Sequence, residues 1–402
     1  MDQKITPEAW GGFKVFDVIS FYSLIFLIKE FITISLRSRN NYYFILFVAF
    51  ILIFLFGGLA SAYPGKTYLN LIKILPIFIF ARFFLIECYK DYSFHIKAIK
   101  AIKISFLLAL GFLIIQVIIG LKFTFYPSLH PNTIDPIFKI IRYPGVFYDS
   151  QAHGQFLAIG SFLFLYTKDE IFKKKPYINY FIFIIIVIGI TLAGSRAAFG
   201  GFAIGIIIVF FLAAQKYRVY GIVFALLAGG IFMVVAPKSG VFDRSENLSE
   251  DYLFRQSIWK EAFEISKAHP YLGIGYGNYQ NYIKKYAQNQ YLEIEDGELV
   301  YFDQPENGYL KIMVELGFIG FATFMLFLTT PVIKGFVYYF KNIYDAKIAY
   351  FIASLMSFIV AFNTVYSIYD NRILLMMTSL IILLIAYPTK ETQPKEISDE
   401  KF

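Results

Sequence analysis

The chain has 402 residues, of which 58% are hydrophobic and 20% aromatic, whereas only 16% are charged. This composition excludes a soluble protein with one or two cores and indicates a polytopic membrane protein. The single cysteine, Cys88, excludes an internal disulfide and a cysteine-rich metal site. No segment at the N-terminus resembles a cleavable signal peptide, so we expect the first span to target the chain.

Apolar segments near the length that a helix needs to cross a hydrocarbon core of roughly 30 Å recur along the whole chain. They predict an all-α fold, a polytopic transmembrane helical bundle with about eleven spans (about 10–12) and a large, partly helical outer loop. Whether 16–36 and 152–167 span fully is left open. The predicted spans are 16–36, 42–63, 68–88, 101–121, 152–167, 177–193, 197–214, 218–236, 309–333, 346–363 and 371–388.

The connections between these spans are short except at 122–151 and 237–308. The second of these mixes aromatic and charged residues as an ordered segment does, and it is too apolar for a flexible linker. We therefore expect four parts: an N-terminal transmembrane bundle at 1–236, a large outer loop at 237–308, C-terminal transmembrane helices at 309–388 and a cytoplasmic tail at 389–402.

Lysines and arginines in short loops predict the orientation of the bundle, because the insertion machinery retains such loops in the cytoplasm. Alternate connections hold eighteen of these residues, whereas the short connections on the other side hold seven. Both long loops are therefore predicted to face outward. The net charge of +8 is accounted for by this asymmetry, so it does not indicate a nucleic-acid partner.

The sequence TLAGSRAAFGGF, residues 191–202, sets Arg196 between two apolar runs, at their predicted outer end. One interpretation is a side chain that extends toward the interface while its stem stays in lipid. The other is that Gly194 and Ser195 fix the guanidinium in a tight turn, where it binds a phosphate in a wet cavity. Arginine suits that task because its planar fork donates two parallel hydrogen bonds and keeps its charge.

Two further candidates precede this turn in the chain. Arg142 belongs to the first long outer connection, and His153 stands in YDSQAHGQFLA, at the start of the next predicted span. Both are taken as substrate-binding candidates. A lone histidine also fits a structural hydrogen-bonding role, and His153 is not predicted to be catalytic.

The segment FRQSIWKEAFEISKAHPYLGIGYGNYQNY, residues 254–282, begins with an amphipathic pattern that predicts a helix ending before Pro270. Arg255 lies near its start. The glycine-rich turn that follows does not favour a nucleotide site, because no strand precedes it and it is predicted on the side without ATP or NAD. It either packs the helix on the bundle or contributes Gly275, Gly277 and Asn278 to substrate binding.

The segment QPENGYLKIMVELGFIGF, residues 304–321, leads from the long loop back into the membrane. Glu306 and Asn307 stand at the head of a predicted span, where a polar side chain can cap the helix. A partly desolvated carboxylate at Glu306 is also suited to accept a proton from an attacking hydroxyl. Glu315, about two turns into the span, is expected to pair with a polar group in the bundle.

In this order and spacing, the three segments resemble the O-antigen ligase and polymerase superfamily of membrane enzymes, which join or transfer lipid-linked glycans on the outer face of the inner membrane. The resemblance covers roughly residues 140–335. The matching positions are Thr191 to Arg196, Arg255 with Ile258 and Trp259, Pro270 to Asn278, and Glu306-Asn307 through Leu310 to Glu315 and Gly317.

The resemblance implies an inverting glycosyl transfer without metal or cofactor, at a site facing the periplasm or the outside. Arg196 and Arg255 would hold the diphosphate of an undecaprenyl diphosphate-linked donor, and Glu306 would activate the acceptor glycan. The implied partners are the donor, the acceptor, membrane lipid and a chain-length regulator protein. The candidate substrate-binding residues are Ser195, Arg142, His153, Gly275, Gly277, Asn278, Asn307 and Glu315.

One departure from the family pattern bears on the choice between its two activities. The ligases carry a histidine where this chain has Glu306, which favours a surface-polysaccharide polymerase and keeps a ligase as the alternative. A small-solute transporter is the competing class outside enzymes. A transporter is expected to carry ionisable residues near the middle of the membrane, and the predicted spans hold few beyond Lys73, Arg82 and Glu315.

Overall fold

The computed structural model describes residues 14–29, 41–91, 93–130, 133–134, 141–166, 175, 177–212, 230, 248–286, 291–293, 299–301, 304–364, 368 and 370–390. Their regular structure is helical apart from one short antiparallel pair, β1 (Tyr291–Glu293) with β2 (Leu299–Tyr301). The predicted helical fold is confirmed. The helices are α1 (Val15–Phe26), α2 (Asn41–Ala60), α3 (Pro64–Lys90), α4 (Phe94–Ile119), α5 (Ser150–Ser161), α6 (Tyr177–Leu192), α7 (Arg196–Leu212), α8 (Leu248–Ala268), α9 (Tyr279–Tyr286), α10 (Gly308–Phe340), α11 (Ile348–Ala361) and α12 (Asn371–Ile385).

Four of the described helices are long and apolar enough to cross a membrane: Tyr42–Ala60 of α2, and α3, α4 and α10. Five shorter apolar helices accompany them, namely α1, α6, α7, α11 and α12. The structure therefore supports a multi-pass membrane protein, but it does not confirm a count of about eleven spans. The predicted span 218–236 lies outside the described residues, except for Gly230.

The predicted span 152–167 forms the centre of the bundle. It appears as α5, which continues as a short 3-10 helix at Phe162–Leu165. All residues of α5 except Gln151 are buried, and α6, α7 and α11 pack around it. At its far end Lys103 Nζ donates a hydrogen bond of 2.6 Å to the carbonyl oxygen of Tyr166. That bond satisfies an acceptor that the end of the helix would otherwise leave without an intrahelical partner.

The closest helix contact joins α7 and α11, which run antiparallel. Gly201 makes it possible, because a Cβ at this position would collide with the carbonyl oxygen of Ser357. One turn along, Gly205 faces the carbonyl of Ala353. Moving four residues forward on α7, from Gly201 to Gly205, thus moves the contact four residues back on α11, from Ser357 to Ala353. The same register places the start of α7, at Arg196, level with Phe362 at the end of α11.

Several chain connections meet at one end of the bundle, which we call the site end. The N–H of Tyr143 bonds to the carbonyl of Leu192 at the end of α6 (3.1 Å), and the N–H of Gly308 bonds to the carbonyl of Phe362 (3.0 Å). The Oγ of Ser61, after α2, donates to the carbonyl of a residue in the α8–α9 connection. The starts of α3, α5, α7, α10 and α12 therefore lie together with the ends of α2, α6 and α11.

Candidate functional site

The Ser-Arg turn lies between α6 and α7 at the site end. Gly194 adopts φ 65°, which lets the chain reverse within three residues. Ser195 is 5% exposed, and its Oγ accepts a hydrogen bond from the N–H of Ala198 at 3.3 Å, as a helix cap does. Arg196 is the first residue of α7 and is partly buried. A helix N-terminus carries positive potential, so both the guanidinium of Arg196 and the start of α7 favour an anion here.

Arg142 lies beneath this turn and is only 4% exposed. A Cβ added to Gly194 would sit 3.0 Å from Cγ of Arg142, so the arginine stem fills the space under the turn. Asp149 caps α5 by accepting the N–H of Gln151 at 3.0 Å. Burial raises the pKa of the Asp149 carboxyl, and the hydrogen bond from the N–H of Gln151 and the charge of Arg142 oppose that shift. Arg142 thus belongs to a buried scaffold next to the turn.

His153 lies one turn into α5 and is fully buried. Its ring packs on Gly145 and lies 5.5 Å from the ring of Phe147, centroid to centroid. Within the described part of the chain, neither ring nitrogen has a hydrogen-bond partner. Among the described residues the ring is held by packing alone, so the hydrogen-bonding role that the sequence left open is not confirmed. The assignment of His153 to substrate binding stays a prediction.

Arg372, which the sequence analysis used only for topology, joins the first long connection to α12. Its guanidinium donates to Asp370 (2.5 Å between Nη2 and Oδ2) and to the carbonyl of Val146. It also stacks on Phe147, with Cζ 4.1 Å from the ring centroid. The sequence signal for this arrangement was Asp370, which stands two residues before Arg372 at the head of an apolar helix. Asp370 is the N-cap of α12.

Arg255 and Glu306 form an ion pair at the site end, with 3.6 Å between Nη2 and Oε2. Each of the two side chains is 31% exposed, so the pair is open to solvent on one side. Trp259, one turn further along α8, donates its indole N–H to the carbonyl of Pro305 at 2.9 Å. That bond holds the segment before α10 against α8 and thereby brings the glutamate to the arginine.

Asn307 rather than Glu306 caps α10. Its Oδ1 accepts the N–H of Leu310 at 3.0 Å, and its Nδ2 donates to Oδ1 of Asn363 at 3.1 Å. Glu306 itself has φ 50°, which is rare for a residue with a side chain. The capping function that the sequence offered as the ordinary explanation of Glu306 therefore belongs to its neighbour.

The glycine-rich turn lies in a second, buried cluster beside this pair. Gly275 and Asn278 are buried, Gly277 is partly buried, and Glu315 has no exposed surface. Glu315 accepts the N–H of Tyr279 at 3.3 Å, so the expectation that it pairs with a polar group is confirmed. The contacts of Gly275 and Asn278 are with the chain itself.

The structure thus brings Arg255, Glu306 and Asn307 together. Arg196 lies at the same end, because it is level with Phe362, whose carbonyl bonds to Gly308. An apolar cavity of about 50 Å³ lies between α2, α3, α10 and α12. Its lining includes Phe54, Tyr276, Ile312, Leu316 and Leu374.

Comparison with known proteins identifies the segment that carries these residues. Residues 181–325 match the family described as O-antigen ligase. The resemblance to the O-antigen ligase and polymerase superfamily is therefore confirmed. The matched segment begins inside α6 and ends inside α10, so it contains Arg196, Arg255, the glycine-rich turn and Glu306, whereas Arg142, His153 and Arg372 lie outside it.

Three curated relatives match the chain in alignments of 206 residues, each of which covers 46% of this chain. Proteins of Rickettsia typhi and Rickettsia prowazekii, each named "Putative polysaccharide ligase", share 29% identity over 45% of their own length. An uncharacterized protein of Haemophilus influenzae shares 22% identity over 50% of its length. The chain thus spans about half the length of the curated relatives it matches.

Proposed function

We propose that this protein joins glycans at a membrane surface, by transferring a glycan from an undecaprenyl diphosphate-linked donor to the hydroxyl of an acceptor sugar. The acceptor is a second lipid-linked repeat unit, which makes the protein a polymerase of O-antigen or a related surface polysaccharide. The observation that carries this proposal is the Arg255–Glu306 pair at 3.6 Å, at the end of the bundle that also holds Arg196. The match to the O-antigen ligase family supports it.

In the proposed reaction, the acceptor oxygen attacks the anomeric carbon from the face opposite the diphosphate. A new carbon–oxygen bond forms, the bond from that carbon to the diphosphate oxygen breaks, and the configuration inverts. Glu306 takes the proton of the acceptor hydroxyl. Arg196 and Arg255 stabilise the negative charge on the departing diphosphate, a kind of contribution typically worth about 3–4 kcal/mol per well-placed donor.

From the Arg255–Glu306 pair we infer the order of two steps in this mechanism: the donor diphosphate binds first, and Glu306 then accepts the proton of the acceptor. With no diphosphate bound, the guanidinium of Arg255 is engaged with the carboxylate of Glu306 at 3.6 Å. A diphosphate offers more negative charge and a better match to the guanidinium fork than one carboxylate does. We propose that the donor draws Arg255 toward itself and that Glu306 then faces the acceptor hydroxyl. The exposure of both side chains leaves access for such an exchange.

The donor also carries a long apolar chain, for which the bundle offers a matching surface. The cavity between α2, α3, α10 and α12 has an apolar lining, and it extends from Tyr276 and Ile312 toward Phe327 and Phe78. At about 50 Å³ the cavity is smaller than a prenyl chain, so binding the chain there would require these helices to separate. A donor anchored in lipid accounts for an enzyme of this kind residing within the bilayer.

The choice of acceptor separates the polymerase from a second candidate, a ligase that transfers finished glycan to lipid A-core or a protein. Glu306 in place of the histidine of the ligases favours the polymerase. The names of the two Rickettsia relatives favour the ligase.

The size distribution of surface glycan in a deletion strain of the source organism tests the proposal. Loss of a polymerase leaves the anchor carrying one repeat unit, whereas loss of a ligase leaves a bare anchor while long lipid-linked glycan accumulates. An unchanged ladder would refute both and leave the transporter. Complementation with Glu306→Gln should fail at normal protein level, since that variant lacks the base. The control Glu264→Gln alters an exposed carboxylate on α8 and should restore the ladder.

We further propose that the protein resides in the bacterial inner membrane with the site end facing the periplasm. Thiol labelling of intact cells with permeabilised outer membranes tests this orientation. In a Cys88→Ser background, a cysteine replacing the exposed Lys284 on α9 should react with a membrane-impermeant reagent. A cysteine replacing Lys97, which is 66% exposed at the opposite end of the bundle, should not. The reverse labelling pattern would invert the topology.

A further inference from the structure

Helix α10 is interrupted inside the segment that is long enough to cross the membrane. Gly317 has φ 68° and ψ −176°, so the helix stops and restarts at this residue. Only glycine adopts this conformation at low cost. An interruption leaves backbone donors and acceptors without their helical partners, and in an apolar surrounding each of them must find another.

The turn between α8 and α9 supplies those partners. The N–H groups of Ile274 and Gly275 donate to the carbonyls of Val314 and Glu315 at 3.0 and 2.9 Å. In return, the N–H of Phe318 donates to the carbonyl of Pro270 at 2.7 Å. The turn therefore satisfies backbone groups that the interruption of α10 leaves without helical partners.

The side chain of Glu315 adds a fourth bond between the two segments. Its Oε1 accepts the N–H of Tyr279, the first residue of α9, at 3.3 Å. A carboxylate at a helix N-terminus satisfies a free N–H group and complements the helix dipole. Here the carboxylate comes from a different helix, so it caps α9 and attaches it to α10 at the same time.

A third segment secures the turn from the other side. The Nδ2 of Asn278 donates to Ser61 Oγ and Thr67 Oγ1, each at 2.8 Å. Ser61 in turn donates to the carbonyl of Ile274 at 2.6 Å. The α8–α9 turn is thus held between α10 and the α2–α3 connection. We call the contact between the turn, residues 270–279, and residues Val314 to Phe318 of α10 the joint.

The joint fixes the direction in which α8 leaves α10. From the joint, α8 runs back along α10, where Ala262 and Ile265 share an apolar cluster with Val314. The first half of α8 lies beside the start of α10, where Arg255 meets Glu306. We propose that Glu315 is a positioning residue, which sets the distance between Arg255 and Glu306 by locking the joint. The expected effect of Glu315 on glycan output rests on the proposed function. The claim that Glu315 fixes the geometry of the joint rests on the hydrogen bonds alone.

The alternative role for Glu315 is a charge that binds substrate. Two substitutions separate the roles. Glu315→Gln keeps the oxygen that accepts the N–H of Tyr279 but removes the charge, whereas Glu315→Leu keeps the bulk and removes the acceptor. A positioning role predicts that glutamine preserves function and leucine destroys it. A charge role predicts that both fail.

The first experiment tests the geometry of the joint through the fluorescence of Trp259 and does not depend on activity. Trp259 contacts Pro305 across the α8–α10 interface, and Trp10 is the other tryptophan of the chain. In purified Trp10→Phe protein, Glu315→Leu should red-shift the emission of Trp259 and increase its quenching by acrylamide. Glu315→Gln should leave both unchanged. So should Thr323→Val, a buried control on α10 whose hydroxyl bonds within its own helix. An unchanged Trp259 signal in Glu315→Leu would overturn the proposal.

The second experiment connects the joint to the site through a double-mutant cycle on glycan output at matched protein level. Glu315→Leu alone should reduce output by about 10- to 100-fold, since small displacements of reacting groups are that costly. In an Arg255→Lys background the further loss should be much smaller, because the residue being positioned is already altered. Fully additive losses would refute the positioning role. Wild-type output from Arg255→Lys alone would instead remove Arg255 from the proposed diphosphate site and leave the fluorescence result standing.

Discussion

The two arginines of the candidate site are held in different ways. Arg196 begins a helix of the core, next to Ser195 and Arg142, which are 5% and 4% exposed. Arg255 lies on α8, within the segment that joins α7 to α10, and its pair with Glu306 is 31% exposed on each side. One half of the site is therefore built by packing around α5, and the other is docked on α10 through hydrogen bonds.

This difference suggests a division of labour. A packed core has few alternative arrangements, so the Ser-Arg turn keeps its shape whether or not substrate is present. Hydrogen-bonded, partly exposed elements open at lower free energy than a core does. We therefore infer that substrates enter on the docked half and are aligned against the packed half.

The largest expected effect comes from the guanidinium groups themselves. Arg196→Lys and Arg255→Lys keep the charge but lose the two-pronged donor geometry. Each should lower glycan output by about 100-fold, the loss typical of removing one preorganised donor. The measurement is surface glycan per unit of protein in the complemented deletion strain.

Lys267→Gln is the matched control for Arg255→Lys, since Lys267 is a half-exposed cation on the same helix that pairs with Glu264 and lies over the ring of Phe263. It should retain full output. If Arg255→Lys alone proves silent, the packed half binds the diphosphate without help from the docked half. If both are silent, the diphosphate site lies elsewhere.

An intermediate effect is expected in the packed half, from adjacent glycines of α7. Gly201→Ala places a methyl group against the carbonyl of Ser357, whereas Gly200→Ala meets nothing within 4 Å. Overpacking should lower the free energy of unfolding by about 1–3 kcal/mol in the first variant. In the second, the gain in helix propensity should raise it by about 0.5–1 kcal/mol. Opposite shifts of the midpoint of thermal unfolding in detergent would establish the α7–α11 contact, and equal shifts would contradict it.

The sequence predicted the long helices better than their connections. The length of the apolar segments identified α2, α3, α4 and α10, because each is long and has few charges. The order of motifs singled out Arg196, Arg255 and Glu306, which lie at one end of the bundle, and their roles stay predictions. The burial of α5 was not predicted, since a helix surrounded by helices and one surrounded by lipid are equally apolar. Arg372 was missed because its partners Val146 and Phe147 lie far away in the chain.

The joint was beyond the reach of sequence reasoning for a similar physical reason. The glycines at 273 and 275 predicted a turn, whereas no break was predicted at Gly317. Nothing local indicated that the turn fills the break, because the hydrogen bonds of the joint connect residues about 40 positions apart and depend on both segments being irregular.

The smallest expected effect is at Trp259, where the docked half meets the start of α10. Trp259→Phe keeps the aromatic contact but removes the N–H that bonds to Pro305. One such hydrogen bond contributes about 0.5–1.5 kcal/mol, so glycan output should fall by no more than about tenfold. The matched control is Tyr282→Phe, which removes the hydroxyl that bonds to His269 at 3.0 Å, at the opposite end of the α8–α9 hairpin. That variant should retain full output, because its bond lies away from the Arg255–Glu306 pair. Equal losses in the two variants would mean that output follows the stability of the hairpin as a whole, and that Trp259 does not specifically hold Glu306 in place.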